Sequence, residues 1–275
     1  MKAKINAEWD NLRKVAVHSP GIEMYFGLLD PFASLYERSF SMKEAIREHE
    51  LLTYTLKQEF KVQIIPLKET IINKADKLPA IKEKLINLAT EKISYTGDIS
   101  EVKYAKYEAG KNRNIYVASD GVVVGSEMLL KNANVEIYQR EGPGDYIKSP
   151  ELTNLHDYIV SKGFEIIDIT TLEYLAYASN FLCVKNGTIV SVEVDRVVKD
   201  VINNLTDKVA LDPETYGNLL KQVKKDYNNL RSEGQFFPHK KEIYQQDIDA
   251  FPLNLINLTG GYGGAHCMTC ALYRN

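Results

Sequence analysis

The sequence predicts a mixed α+β fold of recurring strand–helix–strand modules, and three observations carry that prediction. Apolar runs of strand length, such as Val15-Ala16-Val17 and Val122-Val123-Val124, are bounded by turn residues. Stretches with apolar residues at helical spacing follow them. Asn186-Gly187 lies between two apolar runs, the strongest short-range hairpin signal. At least three such modules recur, separated by helical insertions and expected to lie around a common axis.

The first module opens at Leu12, and its strand closes at His18-Ser19-Pro20-Gly21. Ser41-Met42-Lys43-Glu44 has capping-box spacing and starts a helix. Met42, Ala45, Ile46, His49, Leu52 and Leu56 share one face of it, and Val62, Ile64 and Ile65 form the next strand before Pro66. Residues 67–112 read as a helical insertion, with Ile81, Leu85 and Leu88 in phase, followed by a polar connection over Tyr104–Lys111. In the second module Ile115–Val117 and Gly121–Gly125 are two strands joined near Asp120. Ser149-Pro150 is expected to start a helix that ends near Gly163, leading into a strand over Phe164–Ile169. The third module pairs Asn180–Val184 with Thr188–Val194. Helices are expected across about 197–232, within an insertion reaching 250, and a last strand over Leu253–Leu258. No linker marks a boundary, so residues 1–275 are expected to form one domain.

Composition removes several classes of function. A formal net charge of -3 without a strongly basic stretch leaves no electrostatic footprint for nucleic acid. No run of about 18 apolar residues predicts a membrane span, and residues 1–21 lack a signal-peptide core. Three cysteines, Cys183, Cys267 and Cys270, are too few for a disulfide scaffold and fit a reducing, cytoplasmic setting. No cofactor is implied, and a homo-oligomer is left open.

The informative segment is Gly260-Gly261-Tyr262-Gly263-Gly264-Ala265-His266-Cys267-Met268-Thr269-Cys270. Glycines let a backbone approach a ligand closely or adopt positive φ. A thiol placed among backbone N–H groups is activated as a nucleophile; the plain alternative is a flexible tail. Cys267 and Cys270 also spell C-x-x-C. Without a second pair a closed zinc site lacks ligands, and a thioredoxin-like role needs the motif at a helix start, so no metal is expected.

Gly263–Cys270 resembles the nucleophile signature of arginine deiminases and glycine amidinotransferases. Leu12–Gly21 looks like the opening strand of arginine deiminases, and Leu35-Tyr36-Glu37-Arg38 also fits. Asn114-Ile115-Tyr116-Val117-Ala118-Ser119-Asp120 is similar to a deiminase segment whose last Asp holds the substrate guanidinium. The resemblance implies a pseudo-symmetric α/β propeller of the pentein type, built from five ββαβ modules, of which three are countable here. It also implies a small-molecule guanidino substrate. Cys267 is then the nucleophile, with Gly263, Gly264 and His266 framing it; Asp120 holds the guanidinium, and Asn114 and Arg140 hold the substrate carboxylate. On residue type alone Asp120 is a turn residue and Arg140 a surface ion-pair former.

A planar cationic guanidinium needs a carboxylate to orient it, a thiolate aimed at its carbon, and an acid/base group. The family supplies the last from an H-x-D segment, and this sequence has none. Its nearest counterpart to the family's E-G-G-D is Tyr177-Ala178-Ser179-Asn180, without carboxylates. Of the five histidines, His18 closes a strand, and His49 and His156 fall on helices. His266 adjoins the nucleophile, where neighbouring side chains of an extended segment point apart. That leaves His239 as the acid/base candidate, against a solvated loop residue. The expected activity is deiminase-type hydrolysis through a covalent amidino-enzyme. The alternatives are transfer of the amidino group to an amine, and guanidino-ligand binding without turnover.

Overall fold

The computed structural model describes residues 4–29, 36–90, 115–142 and 144–275. Asn114, Leu35 and the connection over Tyr104–Lys111 lie outside them. Two compact units emerge: Met1–Asn112 with Leu255–Asn275, and Arg113–Asn254. The described strands are β1 (Leu12–Val17), β2 (Gln63–Pro66), β3 (Tyr116–Ser119), β4 (Val122–Gly125), β5 (Asn134–Gly142), β6 (Asp145–Asn154), β7 (Glu165–Asp168), β8 (Leu182–Lys185), β9 (Thr188–Val192), β10 (Asp249–Leu253) and β11 (Thr269–Arg274).

They form three three-stranded sheets, ordered β11-β1-β2, β3-β4-β7 and β8-β9-β10, and a separate hairpin β5-β6. One pattern repeats in all three sheets. A central strand (β1, β4 or β9) pairs antiparallel with one neighbour and parallel with the other. Helices carry the chain from each central strand back to its parallel partner: Met42–Gln58, Leu155–Ser161, and the pair Val194–Leu211 and Pro213–Glu233. The central strands β4 and β9 are buried along their whole length, which is why they are rich in valine and isoleucine rather than alternating with charged residues. In the first sheet the antiparallel partner comes from the end of the sequence: Val17 faces Thr269 and Ala16 faces Cys270.

Local signals account for most elements. Ser41 accepts a hydrogen bond from the Glu44 N–H, and Ala45, His49, Leu52 and Leu56 form the buried stripe of that helix. Glu44 itself pairs with Arg47, 2.7 Å away. A full capping box occurs instead at Thr170 and Glu173.

Three expectations need correction. Ser149-Pro150 does not start a helix but lies inside β6, paired with β5; the helix begins at Leu155 behind the Asn154 cap. Leu152, inside the span where that helix was expected, is 81% exposed. The strand expected over Leu253–Leu258 is not there: β10 ends at Leu253, Ile256–Gly260 is helical, and the last strand is β11. The described part of 67–112 is helical as expected, over Leu67–Lys77 and Pro79–Thr90. Residues 197–252 hold helices and the strand β10, which completes the third sheet, so no further module lies there. Among the described residues no helix is long and apolar enough to cross a membrane.

Candidate functional site

In the unit that carries Cys267, the approach to the glycine segment is pinned from two sides. The buried Glu48 carboxylate accepts from the Asn257 N–H at 3.0 Å, the Leu258 N–H at 2.9 Å and the Asn257 side-chain amide at 2.8 Å. An anion there satisfies the orphan donors at the start of the helix Ile256–Gly260. Arg38 donates to the Ile256 carbonyl at 2.7 Å and to Thr259 Oγ1 at 2.8 Å, and the Glu37 N–H reaches the Gly260 carbonyl at 2.9 Å. A side chain at Gly260 would collide with the Phe40 ring.

Beyond this anchor the chain makes a tight turn over Ala265–Met268 and enters β11. Thr269 closes the turn: its N–H and hydroxyl both donate to the His266 carbonyl, at 3.1 and 3.0 Å. Cys267 is exposed on that turn. Positive φ was one reading of the glycines, yet none of Gly260, Gly261, Gly263 and Gly264 adopts it, and Tyr262 does, at 77°. What Gly263 provides is room. A Cβ there would lie 2.8 Å from Cys267 Cβ and 3.6 Å from its Sγ. Gly263→Ala therefore forces the thiol to move. A misplacement of about 1 Å costs on the order of 100-fold in rate; kcat measured beside a melting curve separates this loss from unfolding.

His266 is tied down by Glu8, 3.3 Å from its Nε2, and Glu8 also bridges to the buried Arg274 at 3.0 Å. Burial works to raise the Glu8 carboxyl, but the His266 hydrogen bond and the charges of Arg274 and His266 outweigh it and hold it below its ordinary value. His266 is thus an anchor of the turn as well as a neighbour of the thiol.

At the same end of this sheet β1 runs out at Val17, opposite Thr269, and places His18 beside the entry to β11. His18 Nε2 lies 3.1 Å from Glu23 Oε1, which also accepts the Gly21 N–H at 2.7 Å. Burial tends to raise the Glu23 carboxyl; backbone N–H groups and His18 outweigh it and keep it low, as an anion.

His49 is 3% exposed and its Nε2 has no hydrogen-bond partner. Burial, then the nearby His18, push its imidazole below its ordinary value, against a smaller opposing pull from Glu50. The unfolded chain therefore takes up this proton more readily, so stability present above about pH 6.5 is lost as the pH falls through the folded value. His49→Leu is expected to melt no lower than wild type near neutral pH and to lose less between about pH 7 and about pH 5. A wild-type pH slope in the variant would refute this.

In the second unit, Asp120 sits at the β3–β4 turn, and its N–H donates to Asn186 Oδ1 of the β8–β9 turn at 2.7 Å. His239 is at the far end of β9, 3.2 Å from Glu193, the residue after that strand. Five strand residues, on the order of 15 Å, separate the two ends. The structure therefore does not bring Asp120 and His239 together. Arg140 lies on the exposed hairpin β5-β6 and donates to the Gly142 carbonyl at 3.0 Å. Asn114 lies outside the described residues, and Gly264 is buried behind the turn.

Motif reading missed the charged groups at the His239 end. Glu173, fully buried, accepts from the Phe237 and Thr170 N–H groups, each at 2.9 Å, and from Lys240 at 3.1 Å. Lys240 also donates to the Asp168 carbonyl at 2.9 Å. The Asp168 carboxyl is raised, mainly by burial. His156 lies between Glu127, at 3.1 Å, and Asp157, at 2.8 Å. Nothing local in the sequence announces the Glu173–Lys240 and His156–Glu127 pairs, whose members are 67 and 29 residues apart. No group of three or more metal-ligating side chains occurs among the described residues.

The chain is 40% identical over 55 residues to an arginine deiminase of Halobacterium salinarum, a stretch covering 20% of this chain and 11% of that relative. A family model described as arginine deiminase matches residues 115–274, more than half of the sequence, from the start of the second module through the cysteine turn and the whole of β11. The chain belongs to the arginine deiminase family.

Proposed function

We propose that this protein is a cysteine-dependent hydrolase of a guanidino compound, arginine or a relative of it. One observation carries the reading: an exposed cysteine on a glycine-framed, side-chain-locked turn, in a member of the arginine deiminase family. In this reading the Cys267 thiolate attacks the guanidinium carbon and ammonia leaves. Water then displaces the thiol from the amidino-enzyme, giving the urea product. His239, oriented by Glu193, is the proposed acid/base group, and Asn114 and Arg140 are the proposed carboxylate ligands. Asp120 is the proposed carboxylate for the substrate guanidinium. The three ββαβ sheets are proposed as blades of a pentein-type propeller, the two units acting as one domain in the reducing cytoplasm.

The separation of Asp120 from His239 favours a second reading, ligand binding without turnover. Wild-type protein incubated under reducing conditions with arginine, agmatine and a guanidino acid decides between them. Mass spectrometry should find an amidino adduct on the Cys267 peptide, with ammonia and the ureido product. Ornithine formed only with an added amine would point to amidino transfer. Ligand binding without adduct or product from any of the three would establish the second reading.

A further inference from the structure

We infer that His18, held by Glu23, takes the proton from Cys267 Sγ, so that the sheet presenting the nucleophile also carries its base. The inference rests on Cys267 being the nucleophile proposed above. Both residues lie at one end of one sheet: His18 follows Val17, whose partner in β11 is Thr269, two residues past Cys267. The pair His18–Glu23 is formed at 3.1 Å, with Glu23 locked by the Gly21 N–H. The imidazole is about half exposed, at 48%. Nε2 faces the carboxylate, and Nδ1 has no hydrogen bond among the described residues. A carboxylate behind one ring nitrogen fixes the tautomer and makes the other the basic one.

The same device recurs in each sheet. A histidine–carboxylate pair stands at the end of every central strand: His18–Glu23 after β1, His156–Glu127 after β4 and His239–Glu193 after β9. Among the described residues only the first sheet sets such a pair beside an exposed thiol at the entry to its antiparallel strand; Cys183, near the start of β8, is buried. His18 thus ionises the thiol, while the acid/base role toward the leaving amine and the attacking water stays with His239.

The step balances. The S–H bond breaks, the proton passes to His18 Nδ1, directly or through one water, and the Nε2–H stays on Glu23. A thiolate and an imidazolium replace two neutral groups, and the thiolate is then ready for the guanidinium carbon. The groups facing His18 suit this. Glu23 pairs with His18 and also bears on Tyr36, whose phenol is raised by burial and then by the Glu23 charge. On the helix Met42–Gln58, His49 is near enough to feel His18, and its imidazole is lowered chiefly by burial, then by His18, against a smaller pull from Glu50.

Iodoacetamide labelling of Cys267 tests this without a substrate, using peptide mass spectrometry from about pH 6 to about pH 9 with Cys270 as internal reference. His18→Asn should slow Cys267 labelling about tenfold near neutral pH and leave Cys270 unchanged. Glu23→Gln should slow it less, and His156→Asn should match wild type. In turnover, His18→Asn should lose about 100-fold in kcat with little change in KM. Wild-type labelling kinetics in both His18→Asn and Glu23→Gln, each melting normally, would overturn the inference. If no guanidino compound is processed yet labelling still depends on His18, the proposed function fails and this inference stands. Product formation indifferent to His18→Asn would do the reverse.

Discussion

Cys267→Ser abolishes both the amidino adduct and the product, a loss of about 10⁴-fold or more, while the protein melts as wild type. The chemistry demands the first half: a serine hydroxyl stays protonated where a thiol ionises, and a guanidinium is too poor an electrophile for a neutral alcohol. Geometry demands the second. Cys267 is exposed, and the turn is held by Thr269, His266 and Glu8, none of which this substitution alters. Cys270→Ser is the matched control, since Cys270 is exposed on the same strand and carries no proposed role. Product retained by Cys267→Ser would remove the nucleophile from the account. Loss in both variants would shift attention to the cysteine pair.

That turn was also the most legible part of the sequence, for a physical reason. A glycine run abutting a reactive side chain is a local requirement, written in consecutive residues. The hairpins at Asp120-Gly121 and Asn186-Gly187 were legible for the same reason. The hairpin β5-β6 was not. Its two-stranded ribbon exposes most residues on both faces, so the alternation is brief, limited to Val135 and Ile137, and Ser-Pro reads equally well as a helix start. β11 was hidden because its partner β1 lies at the other end of the chain. The site divides the same way. Cys267 stands in a motif; Glu8 meets His266, and Glu173 meets Lys240, only through the fold.

Glu173→Ala is expected to be the most destabilising of the substitutions considered, by about 3–5 kcal/mol. The side chain is 0% exposed and accepts from the Phe237 N–H, the Thr170 N–H and hydroxyl, and the Lys240 ammonium. Removing it leaves two buried donors unsatisfied and Lys240, only 9% exposed, without its counter-ion. For a domain of this size such a loss lowers the melting temperature by roughly 10 °C. Glu173→Gln keeps the acceptor oxygen but not the charge and should fall between. Because Phe237 and Lys240 flank the segment carrying His239, hydrogen exchange there should quicken in parallel. An alanine variant melting within about 1 °C of wild type would show that water or relaxation replaces every one of these bonds.

The pairing of β1 with β11 imposes an order on the making of the protein. Residues 12–17 leave the ribosome early, yet their antiparallel partner is residues 269–274. A growing chain can close the β3-β4-β7 and β8-β9-β10 sheets from segments already synthesised, because each draws its strands from one continuous stretch. The sheet bearing the cysteine must wait until residues 269–274 have been made, and a contact of such sequence separation is also the slowest kind to form. The turn carrying Cys267 is therefore completed only after both other sheets can close, and a chain stopped before residue 269 lacks the strand that holds it.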